Sequence, residues 1–315
     1  MGQPTAKDVH VDAAMTRLSL AYRNRGYVAE RVLAPVPVSK QSDRYFVFAK
    51  GAWFRDEAGV RAPSSRAPRG GYAVSTDTYF CNEWAFAKEV PDELRENADA
   101  PLNPDQEAVD FATEKVLLRK ERLVAGLVLN PANWASSEDA EGLWVAGTGN
   151  TFISDVERAI DGVRKATGRR PNVMVMDAGT LKEIKQEESV LSRIKYTERG
   201  IVTPDLIAAM FDLDEVLIGE AIYSSAEEKA DGSDFASANI WERNAGKGSA
   251  CLLCRPPQPG IMVPAAGYTF TWKPRLVRRW REEAEHQDVI ECAESFEPKV
   301  TGADLGFLFY DTVLT

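Results

Sequence analysis

Histidine is nearly absent from this chain, with two in 315 residues, and cysteine is scarce, with four. The two histidines, His10 and His286, are the only imidazole bases a hydrolase triad could use, and no G-x-S-x-G or comparable nucleophile turn accompanies them. Four cysteines cannot build a dense disulfide framework in a chain this long, and a cytoplasmic origin would keep them reduced, so they read as thiols. No run approaches 18 uninterrupted apolar residues, and the start, MGQPTAKDVHVDAAM, lacks the basic end and apolar stretch of a signal peptide. Nor is there a surplus of positive charge. Against 48 acidic side chains stand 38 basic ones, a net charge of −10. That argues against nucleic-acid binding as the main task, because phosphate binding requires a basic footprint.

What is present is the composition of a folded protein, 44% hydrophobic, 27% charged and 9% aromatic. Disordered chains lack the apolar surface to offset chain entropy. A length of 315 residues predicts one large domain or two interwoven ones. The charge is unevenly spread. Residues 1–71 carry 12 basic and 6 acidic side chains, a surplus of +6, which leaves the remainder at −16.

Residues 1–42 show few long apolar periodicities and end in Pro35-Val36-Pro37-Val38, which predicts an extended arm along a surface. Tyr45-Phe46-Val47-Phe48 and Trp53-Phe54 open a β-rich stretch. A second runs from Tyr72 to Val90, alternating at Tyr72, Val74, Thr76, Thr78 and Phe80. Between them lies a long turn with Gly59, Pro63, Pro68, Gly70, Gly71 and four arginines counted from Arg55. A two-stranded ribbon of this kind is marginal alone in water and must lean on its own chain or on a neighbour.

Asn103-Pro104-Asp105 is a helix start, and Val109, Ala112, Val116, Leu123 and Leu127 follow at helical spacing. A helix to about Leu129 would be roughly 39 Å long. From 150 to 224 helix and strand alternate. Asn150 or Thr151 caps a helix ending at Gly168, Val173-Met174-Val175-Met176 is a buried strand, Asp177 and Thr203 cap two more helices, and Val216-Leu217-Ile218 opens the next strand. Residues 224–248 are expected as an exposed loop interrupted by Ile240-Trp241. Strand-like segments follow at 250–254, 268–272, 289–293 and 305–310. No internal repeat is evident.

Short motifs of chemistry do not hold together. Cys251-Leu252-Leu253-Cys254 lacks a second ligand pair for zinc and reads as two core thiols. Gly147-Thr148-Gly149-Asn150 would need its third glycine where Phe152 stands, and in Gly246-Lys247-Gly248-Ser249 the serine does not follow the lysine directly. The acid pairs Asp212 with Asp214 and Glu187 with Glu188 are typical of solvated surfaces.

Leu20-Ala21-Tyr22-Arg23-Asn24 with Tyr27, Gln41-Ser42-Asp43-Arg44-Tyr45-Phe46, Ser75-Thr76-Asp77-Thr78-Tyr79 and Val90-Pro91-Asp92-Glu93 together resemble tailed-bacteriophage major capsid proteins. So do Thr167-Gly168-Arg169-Arg170-Pro171-Asn172, Asp214-Glu215-Val216-Leu217-Ile218-Gly219, Gly267-Tyr268-Thr269-Phe270 and Gly302-Ala303-Asp304-Leu305-Gly306. The resemblance covers nearly the whole chain and rests on the order and number of these matches. It implies an α+β protein of the Hong Kong 97-type phage capsid fold. The mapping is an N-terminal arm (1–42), an extended β-hairpin loop (43–80) and a peripheral domain (81–145) with a spine helix at 104–129. An α/β axial domain (146–267) follows, and residues 268–315 return to the peripheral domain.

The function so implied is a shell of hexamers and pentamers enclosing double-stranded DNA in a virion assembled in the host cytoplasm, with no catalytic, metal or cofactor site and no membrane. In such a shell the tip arginines Arg55, Arg61, Arg66 and Arg69 would meet Glu89, Asp92, Glu93, Glu96 and Asp99 on the adjacent copy; two unrelated solvated charge runs are the plainer alternative. Trp53 and Phe54 would anchor the contact or pack within the hairpin. Lys50 lies where some capsids of this fold form an isopeptide bond, but no Asn or Glu partner is identifiable, so a non-covalent shell is expected. About forty residues before the ribbon leave no room for a built-in scaffolding segment, which implies a separate scaffolding protein, with portal and cement proteins as further partners. An encapsulin-like compartment and a soluble α/β enzyme are the alternatives.

Overall fold

The computed structural model describes residues 24, 26–48, 50–98, 102–147, 149–194, 202–227, 235–260 and 263–313. In chain order, α1 (Ala29–Val32) and β1 (Pro35–Pro37) precede a hairpin of β2 (Ser42–Phe48) and β3 (Val74–Phe80), with the one-turn α2 (Lys50–Trp53) after its first strand. Next come β4 (Asn82–Pro91), α3 (Asp92–Glu96) and the long α4 (Pro104–Val128). An alternating section holds β5 (Ser137–Asp139), α5 (Phe152–Thr167), β6 (Val173–Asp177), α6 (Ala178–Ile184), α7 (Glu188–Ile194), α8 (Pro204–Phe211) and β7 (Glu215–Gly219). The chain ends with β8 (Ile222–Ser224), β9 (Ser237–Asn239), β10 (Ser249–Leu253), β11 (Gly267–Glu282), β12 (Gln287–Val300) and β13 (Gly306–Tyr310).

Helix α4 begins where expected. The Asn103 side chain accepts from the Gln106 N–H, Pro104 occupies the first turn, and the 25 residues span about 37 Å. Its buried face differs from the expected one: it runs through Ala108, Ala112, Val116, Lys120, Glu121, Val124, Ala125 and Val128, while Leu123 and Leu127 are half-buried. The alanines are small enough to bring the helix close to its sheet. Two adjacent charged residues take core positions that an apolar pattern cannot reveal.

Two sheets carry the core. The first has the order β1-β11-β12-β4, with β1 parallel to β11 and the other pairs antiparallel, and α4 lies across β12 and β4. The second has the order β5-β13-β10-β6-β7. Its β6 is buried along its whole length, as its continuous apolar run requires. Met174 and Met176 face a cluster with Phe152, Ile160, Ile207 and Phe211, whereas Val173 and Val175 face one containing Val124 and Val128 of α4. The C-terminal half of α4 therefore packs on the valine face of the second sheet, while Ala108, Ala112 and Val116 pack on the first.

Several expectations are corrected. The stretch from Tyr72 to Val90 is two strands, because the chain breaks at buried Cys81, whose N–H donates to the Gln41 carbonyl at 2.8 Å. Before the break the strand pairs with β2, and after it with β12. Trp53 closes a helical turn rather than a strand. Helix α7, short and acidic at its start, has too little apolar period to be read in advance. The presumed loop after residue 224 contains β9, paired with β8, and Ile240 and Trp241 are buried. Strand β11 extends to Glu282 through the charged run after Trp272; its register shifts around Pro274, and only pairing with β12 holds it as a strand. The last segments divide: β11 and β12 join the first sheet, but β13 pairs with β10 in the second.

Lys120 is 2% exposed, and its Nζ lies 2.8 Å from Glu30 and 2.6 Å from Glu294. Removing Lys120 leaves buried Glu294 with only Arg275, 3.8 Å away, to compensate it, and breaking a buried pair in this way costs up to about 3–5 kcal/mol. Lys120→Ala is accordingly expected to lower the urea midpoint strongly. Lys120→Met combined with Glu294→Gln should lose much less, because the second substitution removes the stranded charge.

Candidate assembly surface

The hairpin of β2 and β3 is anchored most firmly at its base. Tyr79 stacks on Phe270 with ring centroids 4.7 Å apart, and Tyr45 lies 5.7 Å from the same ring. The Tyr45 hydroxyl donates to Asp77 at 2.7 Å, and Lys299 pairs with Asp77 at 2.7 Å. Beyond this base the aromatic residues sit in water: Trp53 is 62% exposed and Phe54 64%, and Phe46, Phe48 and Tyr72 are exposed too. Trp53 has a partial home within the hairpin, with Phe48 at 6.2 Å and Tyr72 at 5.3 Å. Phe54 rests on Gly168, which closes α5 with φ of +69°. A groove of about 820 Å³ runs between these rings and the turns at Thr167, Arg169, Pro264 and Gly302.

Past Trp53 the chain has no regular structure until β3. Arg55 lies 3.7 Å from Glu57, and Arg61 donates from Nε to the Ser65 carbonyl at 2.7 Å. Arg66 and Arg69 are exposed and form no ion pair among the described residues. The acidic set is elsewhere, Glu89 on β4 and Asp92, Glu93 and Glu96 on α3; Asp99 lies outside the described residues. No ion pair joins the two sets among the described residues. Asp92 has a partner of its own, since two Arg281 nitrogens each hold its carboxylate at 2.6 Å. That guanidinium keeps the Asp92 carboxyl below its usual range. Glu89, Glu93 and Glu96 are exposed. Lys50 is likewise engaged within the chain, by Asp304.

Sequence reasoning missed the charged web beneath this acidic segment. Asp288 accepts from Arg95 at 2.7 Å and from Arg279, and Arg95 also reaches Asp105 at 2.8 Å, tying α3, α4, β11 and β12 together. The run of basic residues in β11 was its only signal.

The remaining candidates for chemistry resolve into structure. Glu187 accepts the Gly147 N–H at 3.0 Å and the Ser189 N–H at 3.2 Å, Asp212 pairs with Arg170 at 3.0 Å, and Asp214 accepts from Asn172 at 2.7 Å. His286 forms the left-handed turn between β11 and β12, with φ of +49°, and His10 lies outside the described residues. Lys247 pairs with Asp311 at 3.3 Å. Cys81, Cys251, Cys254 and Cys292 are all free and buried. Among the described residues no group of three or more His, Cys, Asp or Glu side chains is placed to hold a metal ion.

The class these features define is a mixed α/β chain with an exposed, aromatic and basic hairpin standing off a double core. The comparisons agree with that class. The chain is 28% identical over 308 residues to the major capsid protein of Burkholderia phage BcepMu, covering 95% of each, and 24% identical over 320 residues to that of Pseudomonas phage JBD67, covering 96% and 97%. No family model matches the chain. Among solved structures it is similar to a phage-related protein from Bordetella bronchiseptica, with a TM-score of 0.72, 20% identity and coverage of 97% and 98%. It is also similar to the capsid of cyanophage P-SCSP1u, with a TM-score of 0.64, 10% identity and coverage of 98% and 95%. The SrpI encapsulin of Synechococcus elongatus has a TM-score of 0.51 at 12% identity, covering 97% and 96%. The chain thus resembles phage major capsid proteins over nearly its full length, and its mixed α/β fold is of the Hong Kong 97 type shared by phage capsids and encapsulins.

Burial pushes the Cys81 and Cys254 thiols up to about 11, and it raises Cys251 and Cys292 as well. A thiol raised on folding supports the fold fully below its unfolded pKa of about 8.5, and that support is lost as pH climbs through the folded value. With Ellman's reagent at pH 8 the native protein is expected to show almost no reaction, and all four thiols should titrate once it is unfolded in guanidinium.

Proposed function

We propose that this chain is the major capsid protein of a tailed bacteriophage and assembles through heterologous contacts into an icosahedral shell around double-stranded DNA. The observation that carries the reading is a relationship to phage major capsid proteins along 95% of the chain, joined to a hairpin whose large side chains have no cover of their own. The role is structural, and no chemistry is assigned to any residue. The segment before β2 serves as an arm, β2 and β3 with their connection as the extended loop, α4 as the spine of a peripheral domain, and the second sheet with its helices as the axial domain. Scaffolding, portal and cement proteins are the partners this role calls for. An encapsulin-like compartment is the second reading, favoured by the fold shared with the SrpI encapsulin.

In this reading the hairpin lies over the neighbouring subunit. Trp53 and Phe54 are its anchors, and Arg66 and Arg69 face Glu89, Glu93 and Glu96 of that neighbour. Arg55 and Arg61 contribute to the same basic tip, and Asp99 extends the acidic side. Asp92, already held by Arg281, adds field more than a direct bond.

Sedimentation followed by electron microscopy of the purified protein, with a scaffolding protein supplied, is expected to show closed shells or capsomer rings. A persistent monomer or dimer would overturn the assignment, and a shell that encloses protein cargo would favour the encapsulin reading. For the loop contact, Arg66→Glu with Arg69→Glu is expected to raise the protein concentration needed for assembly by roughly fivefold, from about 1 kcal/mol lost per subunit. Shell yield and salt resistance equal to those of the unaltered protein would remove the proposed pairing.

A further inference from the structure

The solvent side of α4 carries a row of cations that the acidic character of the chain does not predict. Phe111, Lys115, Arg119 and Arg122 follow one another at intervals of four, four and three residues, so they share one helix face about 16 Å long. All four are exposed, and so is Lys88 on the adjacent β4. Each cation is seated on a ring. Lys88 and Lys115 lie 5.5 and 5.0 Å from the Phe111 centroid, Arg119 lies 4.5 Å from that of Trp84, and Arg122 lies 4.1 Å from that of Tyr223.

None of these four cations forms an ion pair among the described residues. The neighbouring carboxylates are turned to other tasks: Glu114 accepts from Tyr27 at 2.6 Å, Glu83 lies 3.8 Å from Lys273, and Glu121 is buried on the far side of the helix. Glu107, one turn before Phe111, is the one exposed acid in line with the row. Elsewhere in and beside the first sheet, Arg95, Arg275, Arg279 and Arg281 are paired. Lys88, Lys115, Arg119 and Arg122 thus make a connected strip of uncompensated positive charge on a molecule of net charge −10.

We infer that this strip is the surface on which the protein meets the phosphate backbone of duplex DNA, without reading its sequence. The inference rests on the capsid reading and adds to it the face of the subunit that lies toward the packaged polyanion. The rings hold the guanidinium and ammonium groups in place: Trp84 and Tyr223 lie half-buried beneath Arg119 and Arg122, and Phe111 is exposed between Lys88 and Lys115. A row of cations held on rings along one helix face gives contacts of the positioning kind, whose strength comes from released counterions. Four cations give weak binding, consistent with DNA that must be both packed and released. A rigid, evenly spaced row on a helix suits the regular charge of a duplex better than an irregular acidic polypeptide.

The test compares the full-length protein with the variant Lys115→Gln, Arg119→Gln, Arg122→Gln, whose altered side chains are exposed; thermal melting followed by circular dichroism confirms that both are folded. The probe is a fluorescent duplex of about 30 base pairs of arbitrary sequence, titrated between about 50 and 200 mM salt. The unaltered protein is expected to bind with a linear dependence of log K on log salt. The variant should lose about 0.9 from that slope for each removed cation that touches a phosphate, up to about 2.7 for the three. An unchanged slope, or no duplex binding by the unaltered protein at the lowest salt, overturns the inference. So does polyglutamate of equal charge binding as tightly as the duplex, which would assign the strip to an acidic protein. Shell formation is scored separately by electron microscopy: shells with an unchanged DNA slope refute this surface and leave the capsid reading standing, whereas failure of the unaltered protein to form shells refutes the reading itself.

Discussion

Two neighbouring charges at the middle of α4, Lys120 and Glu121, connect more of the molecule than any apolar contact does. Lys120 holds Glu30 from the segment before β1 and Glu294 from β12. The carboxylate of Glu121 accepts the backbone N–H groups of Val28 and Ala29 at 3.0 and 2.9 Å and the indole N–H of Trp241 at 2.6 Å. One helical turn thereby fixes the incoming chain, the long hairpin of the first sheet and the connection into the second. Burial raises the Glu121 carboxyl above its ordinary range, and its three donors oppose that shift. Charges placed this deep add less stability than well-packed apolar groups would, but they accept only one arrangement of partners. In this molecule their role is register, since a helix able to slide would misplace both sheets.

The hairpin obeys the opposite logic. Its base is locked by Tyr45, Tyr79 and Phe270, and what lies beyond relies on a few ring contacts, the seat of Phe54 on Gly168 and the exposed ion pairs of Lys50 with Asp304 and Arg55 with Glu57. An exposed ion pair contributes about 0–1 kcal/mol, and a large side chain gains about 1.5–3 kcal/mol when it goes from full exposure to full burial. The weight of any contact the hairpin makes with a neighbour therefore rests on Trp53 and Phe54. The arginines farther out contribute orientation. A subunit that satisfied these rings internally would have nothing to offer the next copy.

Much of this organisation was legible in the sequence wherever a local cause set it. Asn103, Asp177, Thr203 and Gly168 announced helix ends through capping chemistry and left-handed geometry, and β6 announced itself as an apolar run. The hairpin was legible as a pair of β-rich stretches around a Gly- and Pro-rich turn. What escaped was fixed at a distance. The outer half of β11 is a strand because β12 lies beside it; Lys120 and Glu121 are core residues because their partners arrive from residues 28, 30, 241 and 294. The engagement of Asp92 with Arg281 is of the same kind, joining residues 189 positions apart.

The distribution of charge follows from the same division between inner and outer requirements. Arg275, Arg279 and Arg281 of β11 are matched to acids of α1, α3, α4 and β12 and serve cohesion within the chain, whereas Arg66 and Arg69 at the hairpin tip and Lys115, Arg119 and Arg122 on α4 form no ion pair among the described residues. The paired arginines keep a third to a half of their side chains in water, so their pairs fix the geometry between elements more than they add stability. Charges directed outward must stay unpaired until a partner arrives. A net charge of −10 keeps free subunits apart in solution, and local positive surfaces against that background limit attraction to particular faces. The two classes of charge are thus kept on separate faces of the chain, the paired ones between elements of the first sheet and the unpaired ones on the hairpin tip and the outer face of α4.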